Sequence, residues 1–284
     1  MIHIAKGWKD YQLLDAGGGE KLEIWGKVKV VRPDPQAFWP KSYKWEKPDM
    51  YYHRSKSGGG TWEILNNKIP KNWNISYKDL RFHVRPTGFK HMGLFPEQAV
   101  NWTYLQEKII SAGRKVKVLN LFAYTGGTTI ACLNAGAEVT HVDAAKSMNG
   151  QAKENILLSG LKDSKNRVLT DDVLKFVRRE ERRGNKYDGI IMDPPVFGRG
   201  PGGEMWRLEE GLFGLVTEVS KLLSDKPLFV LINAYTAGFS PVAYQNVLEM
   251  ILKNGTVTVG EIGLIAQSGV VLPCGMFARW DNMG

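Results

Sequence analysis

The amino-acid sequence predicts an α/β protein in which a mostly parallel sheet is covered by helices on both faces. Strand and helix signals alternate over residues 96–284, and the last two strands form an antiparallel hairpin. Three of the predicted strands end at an aspartate, namely Asp143, Asp171 and Asp193. Because the carboxyl ends of parallel strands meet at one edge of a sheet, these aspartates are expected to share a ligand site.

Residues 1–95 are rich in Trp, Pro, Gly and Lys and predict a small β-rich domain or an extension of the main sheet. Lys21–Arg32 predicts one or two strands, and further short strands are predicted at 49–54, 61–65 and 80–84. Aromatic residues are interleaved here with lysines and arginines, a pattern that fits stacking on nucleic-acid bases. The same aromatics also fit the core of a small β domain, which needs large side chains.

The first βαβ unit begins with a short apolar strand around Val116–Leu119. Gly126 and Gly127 follow, and they permit a tight turn and a close approach of the backbone to a ligand. A helix is predicted over Thr128–Ala135, and the next strand ends at Asp143, where a carboxylate is placed to accept hydrogen bonds from ribose hydroxyls. The fingerprint G-x-G-x-x-G is absent, which argues against a bound dinucleotide.

The alternation of helices and strands continues to the end of the chain. Ser147 is the expected N-cap of the helix that follows Asp143. A glycine-rich stretch, Arg199–Arg207, predicts a flexible loop beside the site, and its two terminal arginines are candidates for phosphate contacts. The remaining predicted helices are 99–110, 147–158, 173–183, 208–223 and 244–252, and the remaining strands are 167–170, 187–192, 228–233, 257–265 and 270–280.

Three motifs carry a resemblance to a known family: NLFAYTGG at 120–127, HVDAAK at 141–146 and MDPPVFGRG at 192–200. They resemble the class I S-adenosylmethionine (SAM) dependent methyltransferases, and more narrowly the large-subunit ribosomal RNA methyltransferase-like group. The resemblance implies a Rossmann-like methyltransferase domain over residues 96–284 and SAM as the cofactor. It further implies that SAM is bound by Asn120, Phe122, Tyr124, Thr125, Gly126, Gly127, Asp143 and Ala144.

The resemblance also assigns residues near the two ends of the cofactor, its methionine and its adenine. Glu97 and Gln98 match a pair that lies by the methionine end of the cofactor in the resembled group, where a carboxylate favours the sulfonium and ammonium charges. Glu97 equally suits the first turn of a helix. Asp171 or Asp172 is expected beside the adenine; Asp171 comes first after the strand, and Asp172 also suits a helix N-cap.

Asp193, Pro194 and Pro195 are the predicted place of methyl transfer. Asp193 can accept a hydrogen bond from an amine and is also expected beside the cofactor, while the prolines fix the backbone so that the Pro194 carbonyl can point at the same amine. In base-amine methyltransferases a Tyr or Phe follows the prolines directly. Here that position is Val196, so that stacking on a base would fall to Phe197.

Methylation of carbon 5 of cytosine requires a cysteine nucleophile, which part of the resembled group carries after the fourth or fifth strand of the domain. Neither position is a cysteine in this chain. Cys132 is expected to be buried in a helix, and Cys274 lies in the closing hairpin. The sequence therefore does not predict 5-methylcytosine as the product, and Asn233 and Tyr235 become candidates for holding the acceptor.

The chain has 284 residues and a formal net charge of +9, which favours an anionic partner and nucleic acid first. Two cysteines argue against a disulfide framework or a zinc cluster, and no metal is expected. No signal peptide or membrane span is predicted, so a cytoplasmic protein is expected. Three functions remain open: a SAM-dependent methyltransferase acting on ribosomal RNA, one acting on a small molecule or protein, and a non-catalytic RNA-binding protein with a methyltransferase-like fold.

Overall fold

The computed structural model describes residues 1–55, 59–199, 205–235 and 238–283. The chain divides into two units. Residues 2–100 and 262–274 form the first, here called the β-rich unit, and residues 101–261 and 275–284 with Met1 form the second, here called the α/β unit. The mixed α/β fold with a β-rich N-terminal region confirms the prediction from the sequence.

The β-rich unit contains a five-stranded sheet of order β2-β3-β4-β5-β6 and a separate hairpin of β7 and β8. In the five-stranded sheet only the β4 and β5 pair is parallel. The predicted stretch Lys21–Arg32 is two strands joined at Gly26, which has a φ of 66°. The strands are β1 (Ile2–Ile4), β2 (Tyr11–Gly17), β3 (Glu20–Trp25), β4 (Val28–Pro33), β5 (Met50–Arg54), β6 (Gly60–Ile64), β7 (Trp73–Tyr77) and β8 (Leu80–Val84).

The aromatic residues of the β-rich unit divide between core and surface. Trp25, Tyr52 and Phe82 are buried and serve the core, whereas Phe38 is 84% exposed. Inside the unit, Arg32 donates to the buried carboxylate of Glu23 at 2.6 Å. Packing therefore accounts for several of the aromatics that also fit base stacking, and the surface ones keep the second interpretation open.

The α/β unit is built on a sheet of order β16-β17-β15-β12-β9-β10-β11. Strands β9 to β12 and β15 are parallel, and β17 runs antiparallel to β15. Their bounds are β9 (Lys117–Leu121), β10 (Glu138–Asp143), β11 (Asn166–Thr170), β12 (Gly189–Met192), β15 (Phe229–Ala234), β16 (Gly255–Ile265) and β17 (Val271–Asn282). A short antiparallel ribbon is formed by β13 (Phe197–Arg199) and β14 (Met205–Arg207).

Six helices are present among the described residues: α1 (Ala99–Ser111), α2 (Gly127–Asn134), α3 (Lys146–Leu158), α4 (Val173–Arg182), α5 (Leu208–Ser220) and α6 (Pro241–Ile251). Helix α5 buries Leu208, Leu212, Leu215, Val216 and Val219, a spacing of three and four residues that lays one face on the core. No helix in this part of the chain is long and apolar enough to cross a membrane.

The N-cap predicted at Ser147 is wrong. Helix α3 begins one residue earlier, at Lys146, and Ala145 occupies the N-cap position without a side-chain bond. The backbone N–H of Ala145 donates instead to Oδ1 of Asp143, at 2.8 Å. The carboxylate at the end of β10 therefore provides the local acceptor that Ser147 was expected to supply.

Candidate active site

The loop between β9 and α2 contains three residues in the left-handed backbone region. Phe122 has a φ of 55°, Tyr124 of 51° and Gly126 of 84°. A residue other than glycine costs about 1–3 kcal/mol in that region, and such strain clusters at ligand sites. A Cβ on Gly126 would also lie 3.0 Å from the Cβ of Ala152, so the position favours glycine for two separate reasons.

Asp143 ends strand β10 and holds this loop by its carboxylate. Its Oδ2 accepts a hydrogen bond from the backbone N–H of Tyr124 at 2.8 Å, and Oδ1 accepts the one from Ala145. Burial raises the pKa of Asp143, and the two backbone hydrogen bonds partly offset that effect. A carboxylate can accept about four hydrogen bonds, so two sites remain for the ribose hydroxyls that the sequence predicts.

A buried chain of polar side chains underlies Asp143 and the loop, and the sequence analysis missed it. Asn120 Nδ2 lies 2.9 Å from Thr129 Oγ1, which lies 2.9 Å from His141 Nδ1. His141 Nε2 lies 2.9 Å from Asn149 Oδ1. The chain therefore joins β9, α2, β10 and α3 through four side chains, all of them buried. Buried polar residues inside apolar strands are the signal that could have revealed it.

The hydrogen bonds made by Asn149 decide which atom donates and which accepts at each step of this buried polar chain. Asn149 Nδ2 donates to the backbone oxygens of Asp143 and Leu169, at 2.9 and 3.1 Å, so its Oδ1 is left to accept from His141 Nε2. His141 is then the neutral tautomer protonated at Nε2, and its Nδ1 accepts from the hydroxyl of Thr129. Asn149 thereby ties the carboxyl ends of β10 and β11 together.

The residues predicted to bind SAM differ in their burial and in their hydrogen-bond partners. Thr125 is buried, and its carbonyl accepts from Asn155 Nδ2 on α3 at 3.0 Å. Asn120 is 2% exposed and its amide is bound to Thr129, so its side chain is committed to the interior. Ala144 is exposed directly after Asp143. Direct contact of the Asn120 side chain with SAM is therefore not what this arrangement favours.

Asp171 and Asp172 follow β11 and take different partners. Asp172 is the N-cap of α4 and accepts from the backbone N–H of Lys175 at 2.9 Å, as its position after the strand suggested. Asp171 forms an ion pair with Arg179 of the same helix. Contact of Asp171 with adenine stays a prediction, and its carboxylate would have to be shared with Arg179.

Asp193 follows β12 directly, so it lies at the same edge of the sheet as Asp143 and Asp171. Pro194 is buried, while Pro195 and Phe197 are exposed, the phenyl ring by 53%. Trp206 Nε1 donates to the carbonyl of Pro195 at 2.7 Å, and its ring lies 5.7 Å from that of Phe122. The Asp193 turn is thereby joined to the loop that follows β9.

The flexible loop predicted over Arg199–Arg207 is wrong at both ends. The described residues on either side form the β13–β14 ribbon, in which Phe197 pairs with Arg207 and Gly198 with Trp206. The ribbon is anchored because the Trp206 indole binds the Pro195 carbonyl and the Leu208 N–H binds the Val196 carbonyl. Residues 200–204 of this predicted loop lie outside the described residues, as do Gly58, the first of three consecutive glycines, and Thr236 after β15.

Glu97 and Gln98 form a short 3-10 helix with Pro96, and both side chains are buried. They belong to the β-rich unit, directly ahead of α1. Glu97 lies in the first turn of this 3-10 helix, as the alternative interpretation expected, and α1 begins directly after it at Ala99. Their approach to the methionine end of SAM stays a prediction.

Asn233, a candidate for holding the acceptor, lies in β15 and is 2% exposed. Its Oδ1 accepts from Asn101 Nδ2 at 3.3 Å, and Asn101 Oδ1 accepts from Arg279 Nη2 at 2.7 Å. The Arg279 guanidinium lies 4.1 Å from the ring centre of Tyr104, and burial lowers its pKa to about 10. Asn233 is therefore linked through Asn101 to the buried guanidinium of Arg279.

The two cysteines lack the features of a nucleophile. Cys132 is fully buried in α2, as predicted, and burial raises its pKa. Cys274 is partly buried, and burial together with Glu97 raises its pKa well above the ordinary value. A cysteine nucleophile reacts as the thiolate, which both environments disfavour.

The chemistry of the loop after β9 would suit SAM, and the individual contacts with the cofactor stay a prediction. Gly126 leaves no side chain between the loop backbone and α3, and Asp143 keeps free acceptor positions beside that backbone. Phe122 and Tyr124 hold the loop in left-handed conformations, and the backbone N–H groups of Ala123, Tyr124 and Gly126 donate to Val142, Asp143 and Ala123. These residues would hold the nucleoside part of the cofactor.

Comparison with known proteins agrees with this geometry. The family described as S-adenosylmethionine-dependent methyltransferase matches residues 46–207. The crystal structure of the SAM-dependent methyltransferase from Agrobacterium tumefaciens is similar over 99% of this chain and 93% of that chain, with 37% identity and a TM-score of 0.94.

Curated relatives match shorter segments. Ribosomal RNA large subunit methyltransferase I from Tolumonas auensis is 44% identical over 168 residues, which are 57% of this chain and 41% of the relative. The protein of the same name from Klebsiella pneumoniae is 43% identical over 82 residues, 28% of this chain and 20% of the relative. The match thus spans less than half the length of either relative. With its family match, its sheet order and its loop geometry, the chain belongs to the SAM-dependent methyltransferase family, and SAM is its cofactor.

Proposed function

We propose that this methyltransferase acts on a base of RNA, and on ribosomal RNA in particular. The observation that carries the proposal is the 44% identity over 168 residues to a protein named ribosomal RNA large subunit methyltransferase I. The net charge of +9 supports a polyanionic acceptor, because phosphate contacts supply much of the affinity for nucleic acid.

The Asp193 turn supports a role in positioning the acceptor. SAM supplies a methyl group on a sulfonium with a good leaving group, so the protein mainly has to align the acceptor atom. The Asp193 carboxylate is suited to accept a hydrogen bond from the acceptor, and the exposed Phe197 ring is suited to stack on a base. The Pro195 carbonyl is bound by Trp206, which leaves the Pro194 carbonyl as the backbone acceptor in this role.

The environments of the two cysteines support a product other than 5-methylcytosine. Activation of carbon 5 requires a thiolate beside the base, and burial disfavours the thiolate of Cys132 and Cys274 alike. We therefore propose that the methyl group is transferred without a covalent cysteine adduct.

The test is methyl transfer from labelled SAM to unmodified total RNA, followed by nucleoside mass spectrometry. A labelled nucleoside is expected and would name the modified atom. Label in 5-methylcytosine would contradict the cysteine argument. Binding of SAM without any label in RNA would contradict the proposal and assign the acceptor to small molecules or proteins.

The variant Asp193→Ala separates the acceptor from the cofactor. Methyl transfer should fall by at least about a hundredfold, while the dissociation constant for SAM changes by less than about threefold. Asp163→Ala, which removes an exposed carboxylate of the same unit, serves as the matched control. If SAM binding were lost with Asp193→Ala, the assignment of this residue to the acceptor would be wrong.

A further inference from the structure

An open cavity lies at the edge of the α/β sheet opposite to Asp143. It has a volume of about 350 Å³ and is lined at the amino ends of β9, β10 and β11. Its charged residues are Lys117, Lys165, Arg167, Lys186 and Glu138. Four cations and one carboxylate leave a net charge of +3 on the lining.

The cavity is separate from the SAM site. Lys117 is the first residue of β9 and Glu138 the first of β10, whereas Asp143 is the last residue of β10. At about 3.3 Å per residue, the strands place the two edges roughly 15 Å apart. A ligand of this cavity therefore does not compete with SAM for space.

The wall of the cavity is held rigidly by a buried acid. Glu180 is fully buried on α4 and accepts from the hydroxyl of Tyr187 at 2.7 Å and from Asn185 Nδ2 at 2.8 Å. Arg167 approaches the same carboxylate at 3.8 Å but keeps half of its side chain exposed. Tyr187 and Asn185 are therefore fixed in place, and Arg167 makes a long ion pair with Glu180 while the exposed half of its side chain is accessible to a ligand.

The cations differ in how far they are already neutralised. Lys165 is paired with Glu138 at 2.9 Å, and 71% of its side chain is exposed. Lys186 Nζ donates to the carbonyl of Lys221. Within the residues that the structure describes, the ammonium of Lys117 makes no hydrogen bond and no ion pair within 4 Å, although its charge contributes to lowering the pKa of Glu138. Lys117 and Arg167 are thus the two cations best able to bind an added anion.

We propose that this cavity binds the phosphodiester backbone of the acceptor RNA, an inference that rests on the proposed function. From Lys186 ahead of β12 to Lys165 ahead of β11, the cations span three strand spacings, about 14 Å. A row of exposed cations of that length suits a chain of phosphates better than one small anion, and such contacts position RNA without reading its sequence. The RNA would then be held at both edges of the sheet.

The test compares two doubly substituted proteins by their binding of a labelled single-stranded RNA at several salt concentrations. Lys117→Gln with Arg167→Gln removes two cations from the cavity, and Lys153→Gln with Lys253→Gln removes two exposed cations elsewhere in the same unit. Each lost phosphate contact lowers the slope of log affinity against log salt by about 0.7. The cavity variant should therefore lose about 1.4 in slope, while the control variant keeps the slope of the parent protein and both bind SAM normally.

The outcomes separate this inference from the proposed function. An unchanged slope in the cavity variant, or an equal loss in the control variant, overturns the cavity assignment even if RNA is methylated. A lower slope in a protein that methylates no RNA leaves the cavity as an RNA contact and overturns the methyl transfer. Displacement of RNA by inorganic phosphate at constant ionic strength would identify a small-anion site and overturn the assignment to the RNA backbone.

Discussion

Acidification should destabilise this protein through His141. The imidazole lies at the centre of the buried polar chain and is fully inaccessible to solvent. Burial lowers its pKa to about 4, from an ordinary value of 6.5, against a smaller opposite effect of the hydrogen bond to Asn149. Below pH 6.5 His141 is protonated in the unfolded protein, whereas in the folded protein it stays neutral down to about pH 4. The free energy of unfolding therefore falls as the pH falls from 6.5 to about 4.

The size of the effect follows from the two pKa values. The difference between 6.5 and about 4 corresponds to about 3 kcal/mol once the pH is below both, and to about 2 kcal/mol at pH 5. The geometry supports the sign, because a proton on Nδ1 would face the hydroxyl of Thr129, which already donates to that nitrogen. Protonation of His141 would therefore disrupt the hydrogen bonds between Thr129, His141 and Asn149.

The assay is urea unfolding at pH 7 and pH 5 for the parent protein and for His141→Gln. The advantage of the parent protein over the variant should shrink by about 2 kcal/mol between the two pH values. His91, whose pKa burial lowers to about 3, is present in both proteins, and its contribution cancels. An equal advantage at both pH values would refute the buried neutral histidine.

Other substitutions test the loop and its supports. In thermal melts, Gly126→Ala should lower the free energy of unfolding by about 2–3 kcal/mol. The control is Gly136→Ala, which has a φ of 90° and no atom within 4 Å of the new Cβ, and it should cost about 1 kcal/mol. Similar losses in the two variants would contradict the close approach of Gly126 to α3. Asn149→Leu should cost about 3 kcal/mol and weaken SAM binding in calorimetry, since the backbone oxygens of Asp143 and Leu169 each lose the hydrogen bond from Asn149 Nδ2 and His141 Nε2 loses its acceptor. Unchanged SAM affinity would show that Asn149 serves stability alone. Asp143→Asn should weaken SAM binding at least about tenfold, with Asp163→Asn as the unaffected control.

The strand-end aspartates and Gly126 were predictable because their signals are local. A run of buried strand residues, a glycine pair and an acidic stop lie within about thirty residues, and the period of the apolar residues fixes the edge at which the acids emerge. The polar chain was not predicted, since His141 occupies a strand position that usually carries an apolar residue. Its partners come from three other elements, so only the fold brings them together.

The β13–β14 ribbon was missed for a different reason. Glycines between Arg199 and Arg207 favour a loop locally, whereas the pairing of Phe197 with Arg207 crosses that stretch. The ribbon also depends on the indole of Trp206 reaching the Pro195 carbonyl, eleven residues away in the chain. Interactions of this kind leave no periodic pattern in the sequence.

Strand β9 lies between β10 and β12, so the candidate site residues fall on two sides of this central strand. On one side Asp143 ends β10 and Asp171 follows β11, and on the other Asp193 follows β12 and Asn233 lies in β15. Only β9 and its loop are common to both. Segments after β12 and β15 can therefore diverge in evolution, or be grafted from a relative, while the contacts of Asp143 and Asn149 persist. Under the proposed role of Asp193, a new acceptor specificity would need changes after β12 and β15, whereas the hydrogen bonds of Asp143 and Asn149 to the loop and the strand ends would stay as they are.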